Sequence, residues 1–400
     1  MDYICYLDIM PEEITKYIIS LTKNKVYDLC LVNHYFNNNC KIIKIVNNFK
    51  YPKLTDINLK ELINLTSLDL RENNIITDEG IKGLINLTDL NLNGNKLIKN
   101  EEIKGLTNLI SLNLHRNKII TNEGIKGLTN LTVLDLYQNN KIKNEGINTL
   151  INLISLDLTN NIIITDIGIK GLTNLTFLNL YNNHKITDEG IKELTNLDSL
   201  DLSFGKKITV IGLKDLTNLV SIDLRYNQII TDDEIKELIN LTSLDLHYNE
   251  KITAKGIKGL TKLVFLGLGN NKIITDEGIK ELINLTSLNL CDNYKITDEG
   301  IRELINLTSL NLYNNDVITD DAIKDLTNLT SLNLYNNYQI TDEGIKLLIN
   351  LTSLNLFWDN KITNEGIKGL TNLTSLNLSC NDKITYEGIK GLTNIKNLVR

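Results

Sequence analysis

The chain has 400 residues, 42% hydrophobic and 23% charged, which excludes a wholly disordered protein. Its only prolines, Pro11 and Pro52, exclude collagen and proline-rich linkers, and a net charge of −7 (42 basic, 49 acidic) argues against a nucleic-acid groove. In chain order, residues 1–42 come first and do not repeat. Ile14, Ile18 and Leu21 follow a helical period, as do Leu29, Val32 and Phe36, so the spacing predicts two or three short amphipathic helices. The opening residues lack a basic leader and make a poor signal peptide. No run approaches the roughly 18 apolar residues of a membrane span. Of the five cysteines (Cys5, Cys30, Cys40, Cys291 and Cys380) no two are spaced as a zinc knuckle or redox pair. A reducing intracellular compartment is expected: the cytoplasm, with the nucleus also open.

Residues 43–64 read as a degenerate first repeat, with Leu54, Leu59 and Leu62 in phase. From Leu65 a 22-residue unit recurs at Leu87, Leu109 and on to Leu373. That makes fifteen complete units without insertion or deletion, then a half unit from Ile395 to Arg400. The consensus is L-T-S-L-x-L-x-x-N-x-x-I-T-D-E-G-I-K-x-L-T-N. The period of two between positions 4 and 6, as in Leu68 and Leu70, is strand spacing. Positions 1, 4, 6, 12, 17 and 20 are apolar and predict the core; no unit folds alone, and stacking closes it. Asn stands at position 9 in thirteen units, Gly205 and Asp359 being the exceptions. A buried amide there predicts a ladder of bonds to neighbouring turns. Thr-Asp-Glu-Gly at positions 13–16 predicts the capped start of a short helix.

The pattern LxxLxLxxNxxI resembles that of leucine-rich repeats, and residues 65–400 carry it throughout. The resemblance implies an α/β solenoid, a horseshoe with parallel strands on the concave side and short helices on the convex side. At the N-terminus, Met10-Pro11-Glu12-Glu13-Ile14, then Ile18-Ile19, then Val32-Asn33-His34-Tyr35-Phe36, resembles an F-box. It departs from that family by Met for Leu at the start, one residue missing between halves, and Asn for the usual Cys or Ser. That resemblance implies docking to a Skp-type adaptor through Met10, Pro11, Ile14, Ile18 and Leu21. The other reading is a helical cap over the first repeat; the two are compatible.

Chemistry-bearing motifs are sparse. His115, His184 and His247 lie on different repeats without helical pairing, so no metal site, no catalytic residue and no cofactor is expected. Gly267-Leu-Gly269-Asn-Asn-Lys272 only superficially resembles a phosphate loop, because its glycines fall on strand positions. Gly80-Ile-Lys-Gly83 is similar to the GxxG of RNA-binding KH domains, but its recurrence at repeat phase assigns it to the helix side. Ten Asn-Leu-Thr sequons in register, such as Asn64-Leu65-Thr66, read as by-products of the consensus.

The aromatic residues are informative. Fourteen follow Leu65, and all but Tyr386 occupy positions 3, 7, 8 or 10, the strand's exposed side and exit. Free variation explains variety there, but not large apolar rings in water; such enrichment marks interfaces. Tyr294, Tyr313, Tyr335, Tyr338, Phe357 and Trp358 suggest a nearly continuous ridge. Asp201, Asp223 and Asp245 recur at position 5 of successive strands about 4.8 Å apart. Arg225 and Lys206 are candidate counter-charges; a basic group on a ligand and a solvated stripe are the alternatives. The half unit at the C-terminus leaves Leu398 and Val399 in phase, through a truncated coding region or an edge that a partner covers, and predicts weak self-association. Together these features predict a non-enzymatic recognition protein, the substrate-recruiting subunit of a cullin-type ubiquitin ligase. Its concave face would bind a protein substrate, with no nucleic acid and no membrane. A stand-alone repeat scaffold or effector is the alternative.

Overall fold

The computed structural model describes residues 44–45, 55–60, 62–359 and 361–400. The helices expected in 1–42, and the F-box-like residues Met10, Pro11, Ile14, Ile18 and Leu21, lie outside the described residues. The chain divides into two compact units, with the boundary after Asn179.

Each repeat contributes one three-residue strand at positions 3–5 and one four-residue helix at positions 14–17. In the first unit the strands run from Lys44–Ile45 and Ser67–Asp69 to Phe177–Asn179, each parallel to its sequence neighbour. The second unit pairs its strands in the same way from Ser199–Asp201 to Asn397–Val399. Because the repeat never slips, equivalent residues face one another: Ser309 opposite Ser331, Leu310 opposite Leu332. Any side chain that recurs at one position therefore forms a column.

From Ser67–Asp69 to Ser375–Asn377, position 4 of each strand points inward while position 3 is less buried, as is position 5 except at Asp69 and Gly267, the alternation the period of two predicts. All six apolar positions are buried through the fifteen units, apart from Ile389 in the last helix. Burying each Leu or Ile contributes about 1.5–3 kcal/mol. Thr occupies the N-cap of most helices in extended backbone, as at Thr209, whose hydroxyl accepts from Ile211 N–H.

Three polar ladders tie the stack. Asn117 Nδ2 donates to the Leu92 and Asn95 carbonyls at 3.1 and 3.2 Å, while its Oδ1 accepts from Ile119 and Ile120 N–H. This is the ladder expected at position 9. A second ladder uses the asparagine of position 22, with Asn130 Nδ2 donating to Thr107 O at 2.9 Å. The sequon asparagines thus hold repeats together and are more than by-products of the consensus. The third joins helix starts: Thr209 N–H and hydroxyl both donate to the Asp188 carboxylate at 2.7 Å. The Asp188 approach explains the glycine at position 16, since a Cβ on Gly212 would lie 2.5 Å from Asp188 Oδ1. The final strand, Asn397–Val399, pairs on one side with Ser375–Asn377 and is exposed, Leu398 by 41% and Val399 by 52%.

Candidate functional site

The residues that vary between repeats stand on the sheet face opposite the helices and at the strand exit. Three geometries organise them in the second unit.

The first is a stack at position 8. Phe204 and Tyr226 lie with ring centroids 4.3 Å apart, Tyr226 and Tyr248 4.4 Å apart, both nearly parallel, and Tyr181 tilts onto Phe204 at 5.2 Å. Position 8 has left-handed backbone in every repeat, with φ of 56° at Phe204, 55° at Tyr226 and 54° at Tyr248. Gly94, Asn160, Asn182 and Asn270 fill the same position elsewhere, residue types that adopt this conformation at low cost. Bulky rings there are outliers.

The second is a stack at position 7. Tyr313 and Tyr335 lie 4.5 Å apart, as do Tyr335 and Phe357, and Trp358 sets its edge against Phe357 at 5.2 Å. Each backbone N–H of Tyr313, Tyr335 and Phe357 donates to an asparagine side chain two residues earlier. The expected six-residue ridge is therefore narrower than the sequence suggested. Tyr294 and Tyr338 take no part in the stack: they hydrogen-bond to Asn314 and Asn336, because position 10 lies past the strand exit. Trp358 is 50% exposed, and its φ is 55°.

The third is the acidic column. Arg225 answers it, with Nη2 at 2.6 Å from Asp223 Oδ2 and Nε at 3.7 Å from Asp245 Oδ2. Lys206 forms no ion pair among the described residues. Asp201 is bonded by the Ser203 hydroxyl; burial, together with the Asp223 carboxylate, pushes it up to about 6. Burial also raises Asp223, against the pull of Arg225. Asp245 holds the His247 ring through Nδ1. Burial disfavours the charged imidazole, yet hydrogen bonds to Asp245 and Cys291 lift it to about 9.

Sequence reasoning missed two groupings. Phe204, Tyr226 and Tyr248 were not singled out, although their spacing of 22 places them in one column. Cys291 was read only through cysteine spacing, and its approach to His247 across an intervening repeat has no local signature.

The repeat family and the solved structures agree with this architecture. Leucine-rich repeat segments match at residues 61–85, 105–150, 171–194, 215–233 and 237–392. The chain belongs to the leucine-rich repeat family. Among solved structures it is similar to a leucine-rich repeat protein of Leptospira interrogans (27% identity, TM-score 0.53, 91% of this chain and 97% of that one). It is also similar to TLR13 in a complex with ssRNA13 (27% identity, TM-score 0.61, 85% of this chain), and spans 60% of that chain's length. The functional domain of InlJ from Listeria monocytogenes matches at 26% identity and TM-score 0.53, covering 80% of this chain and 68% of that one. A search of curated proteins returned no match. Among the described residues, no helix is long and apolar enough to cross a membrane.

Proposed function

We propose that the chain is a recognition protein whose open sheet face holds a protein partner. One observation carries this reading: four aromatic residues, Phe204, Tyr226, Tyr248 and Trp358, stand in left-handed backbone at position 8, which Gly or Asn fills in six repeats and Glu, Arg, Gln, Asp or Cys in five. Stability alone disfavours those rings, so selection for a surface supports them. The N-terminal segment gives the recognition a destination. On the resemblance of Met10–Phe36 to an F-box, it tethers a Skp-type adaptor, and the partner becomes the substrate of a cullin-type ubiquitin ligase.

The full chain co-expressed with a Skp-type adaptor tests the tether. Co-purification lost on replacing Pro11 and Ile14 with Ala supports it. Absence of capture by the wild type at micromolar concentrations leaves a stand-alone repeat scaffold as the reading. For a partner so identified, Trp358→Ala and Tyr335→Ala each weaken affinity by about 2–4 kcal/mol, as buried aromatic anchors do. Lys346→Ala, on the helix side and paired with Glu343, leaves affinity unchanged. Equal losses from both faces refute the assignment of the open face.

A further inference from the structure

Two glycines open a notch in the sheet face. In nearly every repeat the position 7 N–H donates to an Asp or Asn side chain at position 5, as His247 does to Asp245 and Cys291 to Asn289. The strand Phe265–Gly267 breaks the rule: Gly267 has no side chain to offer, and the buried Gly269 N–H donates no hydrogen bond among the described residues. The missing side chains are filled from both flanks. A Cβ on Gly267 would lie 2.5 Å from Asp245 Oδ1 and 2.8 Å from His247 Nδ1. A Cβ on Gly269 would collide with His247 Cδ2 and Nε2 and lie 2.5 Å from Cys291 Sγ. The Asp245 carboxylate and His247 imidazole of one repeat, and the Cys291 thiol of the repeat two further on, thus close on the notch, the carboxylate over Gly267 and the imidazole and thiol over Gly269. Asp245 orients the ring through Nδ1, and Nε2 and the Cys291 sulfur both border the space a Gly269 Cβ would take. The amide group of Asn289, whose Oδ1 is taken by Cys291 N–H, also donates to nothing among the described residues.

The geometry points to a nucleophilic site at which Cys291 takes up an acyl group from a small activated ester or thioester. The thiol proton passes to His247 Nε2 before attack, giving the imidazolium that Asp245 stabilises; the sulfur then attacks the carbonyl carbon and the C–S bond forms. The bond to the leaving oxygen or sulfur then breaks, and His247 returns the proton to that atom. The products are an S-acylated Cys291 and a free alcohol or thiol, with no oxidant or reductant required. The two unpaired donors, Gly269 N–H and the Asn289 amide, are the groups available to the carbonyl oxygen as it gains charge. Asp245 is a positioning residue, holding the ring through Nδ1. Cys380, exposed and without such neighbours, is the internal control.

The test uses the full folded chain and p-nitrophenyl acetate, with the acetyl adduct located by peptide mass spectrometry over time. Cys291 is expected to acetylate at least about tenfold faster than Cys380, and His247→Ala to bring it down to the Cys380 rate. In Asp245→Asn the rate falls, and the imidazole midpoint followed by NMR drops by about one unit, a change that mere loss of packing would not produce. Equal rates at the two cysteines in the wild type overturn the proposal. So does a fast Cys291 that is indifferent to His247→Ala.

Discussion

Two aromatic stacks in the second unit have nearly the same ring spacing and opposite backbone economics. Phe204, Tyr226 and Tyr248 sit at position 8 with φ near 55°, whereas Tyr313, Tyr335 and Phe357 sit at position 7, where an asparagine clamps each N–H. The left-handed conformation costs an ordinary residue about 1–2 kcal/mol. The position 7 stack is consistent with its backbone, so ring packing alone can retain it. The position 8 stack works against its backbone and requires another cause, which a recognition surface supplies. Both exceptions to the position 9 asparagine ladder follow directly on position 8 rings: Gly205 after Phe204 and Asp359 after Trp358. The ladder is interrupted where these surfaces begin and end.

The largest expected effect lies in the unstrained stack. Tyr335 touches Tyr313, Phe357 and Trp358. Tyr335→Asn removes those ring pairs, each worth about 0.5–1.5 kcal/mol beyond area burial, and no strain is relieved in return. A loss of about 2–4 kcal/mol is expected in urea unfolding, followed by the fluorescence of Trp358, the only tryptophan. A loss below about 0.5 kcal/mol would mean that the rings are adjacent without supporting one another.

Asp359 sharpens the contrast at the end of that stack. Its Oδ1 accepts from Lys361 and Ile362 N–H, while its buried Oδ2 has no partner. Burial, opposed by those backbone bonds, pushes the carboxyl up to about 6. The folded state therefore binds the proton more tightly than the unfolded chain does. Stability from this group is full below about pH 4 and is lost as pH rises towards 6 and above. Asp359→Asn restores the ladder donor and removes the buried charge, so it stabilises the protein by about 1–3 kcal/mol at pH 7. Thermal unfolding at pH 7 and pH 4 checks the sign: the gain shrinks as pH falls. A constant gain would assign it to the hydrogen bond alone.

The fold was largely legible because one repeat, copied without slippage, fixes strand, helix and core together. Leu68 and Leu70, Ile76 and Ile81 announce their burial by period alone. The position 9 ladder was also legible, since an asparagine recurring among apolar residues needs partners. The position 22 ladder was not, because Asn86 or Asn130 in a turn looks like ordinary turn chemistry. The site was legible by column and not by contact. Tyr313, Tyr335 and Phe357 could be listed from the sequence, but left-handed backbone at position 8 could not, since Phe204 and Tyr226 are the wrong residue types for it. The His247–Cys291 approach was the least legible, because it depends on what Gly267 and Gly269 lack.

The smallest expected effect isolates the backbone term. Tyr226→Asn removes two ring pairs, to Phe204 at 4.3 Å and Tyr248 at 4.4 Å, one fewer than Tyr335→Asn removes in its own stack. It also places at φ 55° a residue that adopts that conformation readily, recovering about 1 kcal/mol. The two terms oppose, and the net change in unfolding free energy is expected within about 1 kcal/mol of zero. The informative quantity is the difference from Tyr335→Asn under the same urea conditions. A gap beyond the about 1.5 kcal/mol that the extra Trp358 pair can account for measures the cost of holding an aromatic residue at position 8. Equal losses from the two substitutions would show that the position 8 rings carry no such cost, so that ring packing alone retains them and no binding surface is required.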